Sequence, residues 1–282
     1  MTTQAANAFT VDLEDWFQGL TSTNPRVDAW PSFESRVVPA TRSLLDLLDS
    51  SGVRATFFVL GHVADHHPGL VEEIRARGHE IGVHGYLHRF VNRLTPDEFA
   101  REIDRAVESV YRITGEAPAG HRAPYFSIDG GTPWAFELLA RRGFRYDSSV
   151  FPMRGLLYGY AGAERRPHRV GAGGALAEFP ISTVRLAGRN LPFAGGFYMR
   201  TWPYPVVRWA IRRLHAEGLP AIFYIHPWEL DLGQPRSKVT ARERVTHYHG
   251  RASLRPKLER LFADFRFGPL ASLLDRAEAR VG

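Results

Sequence analysis

The chain has 282 residues, 44% of them hydrophobic, a formal charge of +6 and no cysteine. That length is enough for a sizeable core in one α/β unit. The missing cysteines exclude a disulfide framework and a thiolate metal site, so any metal must be held by nitrogen and oxygen. No stretch approaches the ~20 apolar residues needed to span a bilayer. Residues Met1-Thr2-Thr3-Gln4-Ala5-Ala6-Asn7 lack the basic start and apolar run of a signal peptide. The positive charge is almost all arginine, with only Lys238 and Lys257 as lysines, and forms no dense basic run or nucleic-acid motif. The expectation is a cytoplasmic protein without a nucleic-acid partner.

Phe9-Thr10-Val11-Asp12 reads as a first strand ending in the acids Asp12, Glu14 and Asp15. Residues 19–38 are loop-like, around Pro25 and Pro31. Leu44, Leu45, Leu47 and Leu48 mark a helix over 41–51, stopped by Gly52. The apolar run 55–60 is a buried strand, 67–77 a helix and 80–83 a third strand. Thr95-Pro96-Asp97-Glu98 combines a capping box with proline at the first helical position and opens a helix to about Thr114. A short strand over 119–122, a helix over 134–142 and a strand over 144–148 follow. Glycine and proline make regular structure doubtful over 151–174. A sixth strand is expected over 176–183, a helix over 203–217 and a seventh strand over 221–226. The stretch 232–251 is a polar tail in which His247 and His249 read as solvated, and 254–265 and 270–281 are amphipathic.

Strands alternating with helices argue for a parallel α/β fold. Asp12, His84, Arg122, Asp147 and His226 each fall at or just past the C-terminal end of a different expected strand. In a (β/α) barrel those ends share one mouth. With seven units instead of eight, the barrel is expected to be incomplete and distorted. His84 and His88 are four residues apart, so a turn after Gly85 would put both imidazoles on one side. Two histidines and a carboxylate, with a position open to water, are the ligand set of a hydrolytic metal site. A second carboxylate can act there as general base and a histidine across the site as general acid, while Arg122 would orient a carboxylate beside it.

Thr10-Val11-Asp12, His84-Gly85-Tyr86-Leu87-His88, Arg122-Ala123-Pro124-Tyr125, Tyr146-Asp147-Ser148-Ser149 and Ile225-His226 resemble, in order, the motifs of the polysaccharide deacetylases, the NodB-homology or carbohydrate esterase family 4 group. The resemblance extends from about residue 8 to residue 266. Val11-Asp12-Leu13-Glu14-Asp15-Trp16-Phe17-Gln18, Arg189-Asn190-Leu191-Pro192 and His226-Pro227-Trp228-Glu229 resemble the subfamily of exosortase (PEP-CTERM) exopolysaccharide loci. The resemblance implies Asp12 as general base, His84 and His88 as metal ligands, Arg122 as the partner of the base and Tyr125 as the source of an oxyanion-binding N–H. It further implies His226 as general acid and Asp147 as the acid that orients it. Leu13 stands where the family usually has its third metal ligand. Strand alternation favours Glu14 for that role, and Asp15 fits only if the strand ends or bulges after Leu13.

The expected activity is metal-dependent N-deacetylation of N-acetylated amino sugars in a polysaccharide or its precursor, with release of acetate. The metal is expected to be Zn2+, with Co2+, Ni2+ or Mn2+ suited to the same ligands. Tyr125 and Trp228 are the expected substrate contacts. The alternatives are an amidase of the same superfamily acting on a cyclic or small-molecule amide, and a metal-free carbohydrate-binding protein, which Leu13 keeps open. Residues 1–232 are expected to form the barrel, with 233–282 a helical extension packed on it.

Overall fold

The computed structural model of the chain describes residues 7–24, 26–153, 155 and 159–278. The readings of residues 1–6, of Pro25, of 154 and 156–158 in the irregular stretch, and of the end of the segment 270–281 lie outside them. The strands are β1 (Asn7–Leu13), β2 (Thr56–Val59), β3 (Glu80–Val83), β4 (Gly120–His121), β5 (Tyr146–Asp147), β6 (His168–Val170), β7 (Leu176–Glu178), β8 (Thr183–Leu186), β9 (Arg189–Pro192), β10 (Ile222–Ile225) and β11 (Phe267–Gly268). The helices are α1 (Val37–Ser50), α2 (Gly61–His66), α3 (Pro68–Ala76), α4 (Pro96–Thr114), α5 (Trp134–Arg141), α6 (Gly196–Thr201), α7 (Tyr204–Ala216), α8 (Ala241–Tyr248), α9 (Leu254–Asp264) and α10 (Ala271–Glu278).

Seven strands pair in parallel in the order β10-β1-β2-β3-β4-β5-β7. β1, β2 and β10 are buried along their whole length, as central strands of a parallel sheet covered on both faces must be, even where β1 carries Asn7, Thr10 and Asp12. The sheet curls but does not close by strand pairing. The opening between β7 and β10 is bridged instead where the Ser182 amide donates to the Ile222 carbonyl (3.2 Å) and the Tyr224 amide to the Ala194 carbonyl (3.0 Å). This is the incomplete, distorted (β/α)7 barrel that the sequence implied.

The helices cover it through apolar stripes. In α4, Phe99, Ile103, Ala106 and Val110 face inward, and a large side chain buried this way contributes roughly 1.5–3 kcal/mol. The Thr95–Glu98 capping box fixes the start of α4, and Gly115 at φ 71° ends it. The short helices α2 and α6 fall where none was expected, and three further details depart from expectation. The strand expected over 176–183 divides into β7 and β8, and β8 forms a hairpin with β9 through Ala187 and Gly188, both at positive φ. The irregular stretch contains β6, which pairs antiparallel with β7. The polar tail carries α8, opened by a second capping box, Thr240–Glu243, with Glu243 and His247 buried. β11 then pairs with β1, at Asn7↔Phe267. Among the described residues, no helix is long and apolar enough to cross a membrane.

Candidate active site

The first strand sets the geometry. β1 sends Leu13 wholly into the core at its last residue, and just past it the Glu14 amide turns back to the Asp12 carbonyl (3.1 Å), so that Asp12 and Glu14 both line the cavity at the C-terminal mouth. The Asp15 carboxylate is bound elsewhere. It accepts from the Ser35 hydroxyl (2.6 Å) and the Arg36 amide (3.1 Å), and burial lifts it above its usual value against those bonds. Of the two acids left open by the sequence, Glu14 is the one beside the histidines. Gly19 makes room for it, because a Cβ there would lie 2.3 Å from Glu14 Oε1.

β3 delivers His84, and a turn through Gly85 at φ 70° brings back His88, itself at φ 54°. The rings lie 5.1 Å apart. His84 Nδ1 sits 2.9 Å from the Arg122 carbonyl, which can only accept. That contact puts the proton on Nδ1 and leaves the Nε2 lone pair free. Burial, only partly offset by Asp12, brings His84 down to about 4 and favours the neutral ring. His88 Nε2 lies 2.6 Å from Glu14 Oε2. Burial would raise the Glu14 carboxyl, but the charges of His88, His226 and His84 outweigh it and bring the group down to about 2. One donor atom each from Glu14, His84 and His88 lies within 4.8 Å of the others. Two imidazole nitrogens and a charged carboxylate at that spacing are a donor set that fits a divalent cation of the zinc class.

Arg122, wholly buried, is held on all sides of its fork. It donates to Asp12 Oδ1 (2.7 Å), Thr10 Oγ1 (2.7 Å), the Ser148 carbonyl (2.9 Å) and Ser148 Oγ (2.8 Å). Three of these bonds fix the guanidinium, and the fourth holds Asp12 against the cavity. Tyr125 follows at φ 57°. Its ring stacks on Phe90 (3.9 Å between centroids) and meets His88 edge-on. Among the described residues its amide has no hydrogen-bond partner.

Asp147 does not take the place expected for it. Its carboxylate accepts from His121 Nδ1 (2.6 Å), Ser149 Oγ (2.7 Å) and the Ser149 amide (3.0 Å), with Glu178 as the next residue in the row. The acid on His226 is Glu229, whose Oε1 lies 3.0 Å from Nδ1. The physical reason is local. His226 and Glu229 occupy the cap and third position of the turn Pro227–Leu230, so the carboxylate returns onto the residue that opens the turn. Arg200 Nε holds the other Glu229 oxygen at 2.7 Å, and Gly196 leaves room for this carboxylate too.

With Nδ1 on Glu229, His226 Nε2 faces the cavity, 3.6 Å from Glu14 Oε1 and 3.9 Å from Asp12 Oδ2. Burial would lower His226, but Glu14, Glu229 and Asp12 raise it to about 9. Trp228 also departs from expectation. It is 7% exposed and stacks on both His226 and His247, and its Nε1–H donates to Glu14 Oε1 (3.1 Å). Trp228 still lines the cavity, but little of its ring is exposed there and its N–H is already engaged by Glu14. His247, far from being solvated, is 3% exposed and lines the cavity.

These groups line a cavity of about 300 Å³, together with Arg242 and Thr246 of α8. Sequence reasoning missed Glu229, Arg200 and His247. For Glu229 the signal was present, an acid three residues after His226 with proline between.

Residues 22–144 match the family model described as polysaccharide deacetylase, and residues 148–275 match one described as a domain of unknown function. The first match holds His84, His88, Arg122 and Tyr125, the second His226 and Glu229, and Asp12 and Glu14 precede both. A peptidoglycan-N-acetylglucosamine deacetylase of Bacillus cereus is 38% identical over 98 residues, 34% of this chain and 36% of the relative. A chitin deacetylase of Colletotrichum lindemuthianum is 40% identical over 96 residues, 32% of this chain and 39% of the relative. The chain thus spans little more than a third of the length of these curated relatives. A solved structure from Mycobacterium smegmatis with a provisional polysaccharide deacetylase name superposes with a TM-score of 0.66 at 24% identity, covering 98% of this chain and 90% of that one. At that identity the likeness is one of fold.

Proposed function

We propose that this chain, whose residues 22–144 match the polysaccharide deacetylase family model, is a metal-dependent N-deacetylase that releases acetate from N-acetylated amino sugars of a polysaccharide or its precursor. The observation that carries the reading is the convergence of Asp12, Glu14, His84, His88 and His226 on one cavity, with an oriented carboxylate and an oriented imidazole flanking the three candidate ligands.

Glu14, His84 and His88 would hold the cation. When bound, it would polarise an acetamide carbonyl and acidify a water molecule. Asp12, fixed by Arg122, takes the proton of the attacking water. The Tyr125 amide, in its left-handed turn, can donate to the oxygen that becomes negative; one such donor has been worth roughly 3 to 4 kcal/mol in other hydrolases. His226, held through Nδ1 by Glu229, presents Nε2 to the departing amine and gives it a proton. Zinc suits the ligands best, with cobalt, nickel and manganese as substitutes. The action on exopolysaccharide and in the cytoplasm belongs to the same proposal and rests on the sequence alone, and 233–282 belongs to it as a C-terminal extension packed on the barrel, a reading supported by β11 pairing with β1.

Acetate released from N-acetylglucosamine oligomers, by protein stripped of metal and then reloaded with Zn2+, tests the reading. Turnover restored by the cation supports it. Equal turnover with and without metal, or none on any N-acetylated oligosaccharide, counts against it.

A further inference from the structure

We propose that Trp228, braced by α8 and its flanking residues, is the positioning residue for the Glu14 carboxylate, so that a segment contributing no ligand is nonetheless needed to retain the cation. The proposal rests on the reading of Glu14, His84 and His88 as a cation site.

A glutamate is a longer and freer ligand than an aspartate, with one more torsion to fix. In this chain one oxygen is held at each side. Trp228 Nε1–H donates to Oε1 at 3.1 Å, which leaves Oε2 directed at His88 Nε2, 2.6 Å away. The indole is itself immobilised. His247 stacks on it at 4.0 Å between centroids with an interplanar angle of 15°.

The orientation of His247 is determined by a relay that can be read atom by atom. Arg251 donates to Gln234 Oε1 (2.7 Å). That contact identifies the oxygen of the amide, so Gln234 Nε2 is the atom that faces His247 Nε2 at 2.5 Å. An amide nitrogen only donates, so His247 Nε2 accepts and the ring is neutral with its proton on Nδ1. Burial, together with the charges of Arg251 and Arg200, pushes this imidazole well below its usual value, in agreement. A neutral ring can lie face to face on the indole without carrying a second charge into the cavity. Gln234, His247 and Arg251 are all buried. All three, like Trp228, fall within residues 148–275, the portion matching a domain of unknown function. The proposal therefore gives part of that portion a role, which is to complete the metal centre from behind.

The test compares wild-type protein with Trp228→Phe, which keeps a ring but removes the N–H, and with His247→Ala, which removes the brace. The readouts are the Zn2+ dissociation constant by chelator competition, the unfolding midpoint of the metal-stripped proteins, and kcat and KM for acetate release. Loss of an outer partner of a ligand typically weakens metal binding 10- to 100-fold. Trp228→Phe is expected to weaken Zn2+ by about that factor, with the metal-free midpoint unchanged and kcat at saturating Zn2+ falling more than KM rises. His247→Ala should move the same quantities in the same direction by less. If His247→Ala does not fold, Trp228→Phe decides alone. Wild-type protein that binds zinc and releases acetate, beside a Trp228→Phe variant that binds zinc equally tightly, overturns the positioning role and leaves the functional reading intact. Wild-type protein that binds no zinc overturns the cation site, and this proposal with it.

Discussion

Two groups of buried imidazoles and carboxylates sit at strand ends in this barrel, and they differ in what they face. Glu14, His84, His88 and His226 open onto the cavity. His121, Asp147 and Glu178 form a row across β4, β5 and β7, in direct register, and are wholly enclosed. The residue types are the same. In the closed row, Asp147 takes bonds from His121 and Ser149, and Glu178 from the Val150 amide (3.0 Å). None of the three side chains reaches the surface, and His121 Nε2 and Glu178 Oε2 stay buried without a hydrogen-bond partner among the described residues. At the open site each group is fixed from behind, Asp12 by Arg122, His226 by Glu229 and Glu14 by Trp228, and a reactive atom is left facing the cavity. Access to the cavity therefore separates chemistry from structure; burial, charge or an unpaired atom alone does not.

Substitutions at the two clusters should accordingly fail in different ways. The largest effect is expected from His226→Ala, with kcat for acetate release down by roughly 10²- to 10⁴-fold, the range for a lost general acid, while Zn2+ stoichiometry and unfolding midpoint are kept. Loss of zinc along with activity would make His226 part of the metal centre and blur the comparison. In the closed row, Asp147→Ala removes the acceptor of a buried imidazole and should cost on the order of 3 to 5 kcal/mol in urea unfolding, with the zinc stoichiometry of the folded fraction unchanged.

The smallest effect is a pH slope. Burial, and then the charge of Asp147, raise Glu178 well above its usual value of 4.5. The folded chain therefore keeps a proton that the unfolded chain gives up above pH 4.5. Stability attributable to Glu178 falls as pH rises from 4.5 towards the folded value, by up to about 1.4 kcal/mol per pH unit. Asp147, lowered from 3.8 mainly by its bond to His121 once burial is overcome, contributes in the opposite sense, stabilising above that pH and losing the effect on acidification. Glu178→Gln keeps a donor for Asp147 without an ionisable proton. It should flatten the decline in urea stability as pH rises above 4.5, and an unchanged slope would remove the Glu178 proton from the account.

The sequence disclosed the parts governed by strong local rules. Apolar runs mark buried parallel strands, and polar residues after them mark the mouth, which is why Asp12, His84, Arg122 and His226 could be grouped from sequence, although the same rule also drew in Asp147, which lies in the closed row. Alternation chose Glu14 over Asp15 for the same reason. The hairpin β8–β9 went unread, although Val184 and Leu191 face one another across it and Ala187-Gly188 is a turn. α8 went unread because its composition is polar, yet Thr240-Ala241-Arg242-Glu243 repeats the signal that identified α4. The partners of Asp147 and Trp228 were beyond sequence reasoning. They depend on which face of a short strand or turn meets which neighbour, and β5 has only two residues with which to show a period.

The most direct test of the central claim is a crystal structure of zinc-loaded protein with anomalous diffraction measured at the zinc edge. The account predicts one peak bound by Glu14, His84 and His88, at the roughly 2.0–2.2 Å of zinc–nitrogen and zinc–oxygen bonds, with Asp15 still on Ser35 and Arg36. A peak on Asp15, or no zinc between the two imidazoles, would contradict it.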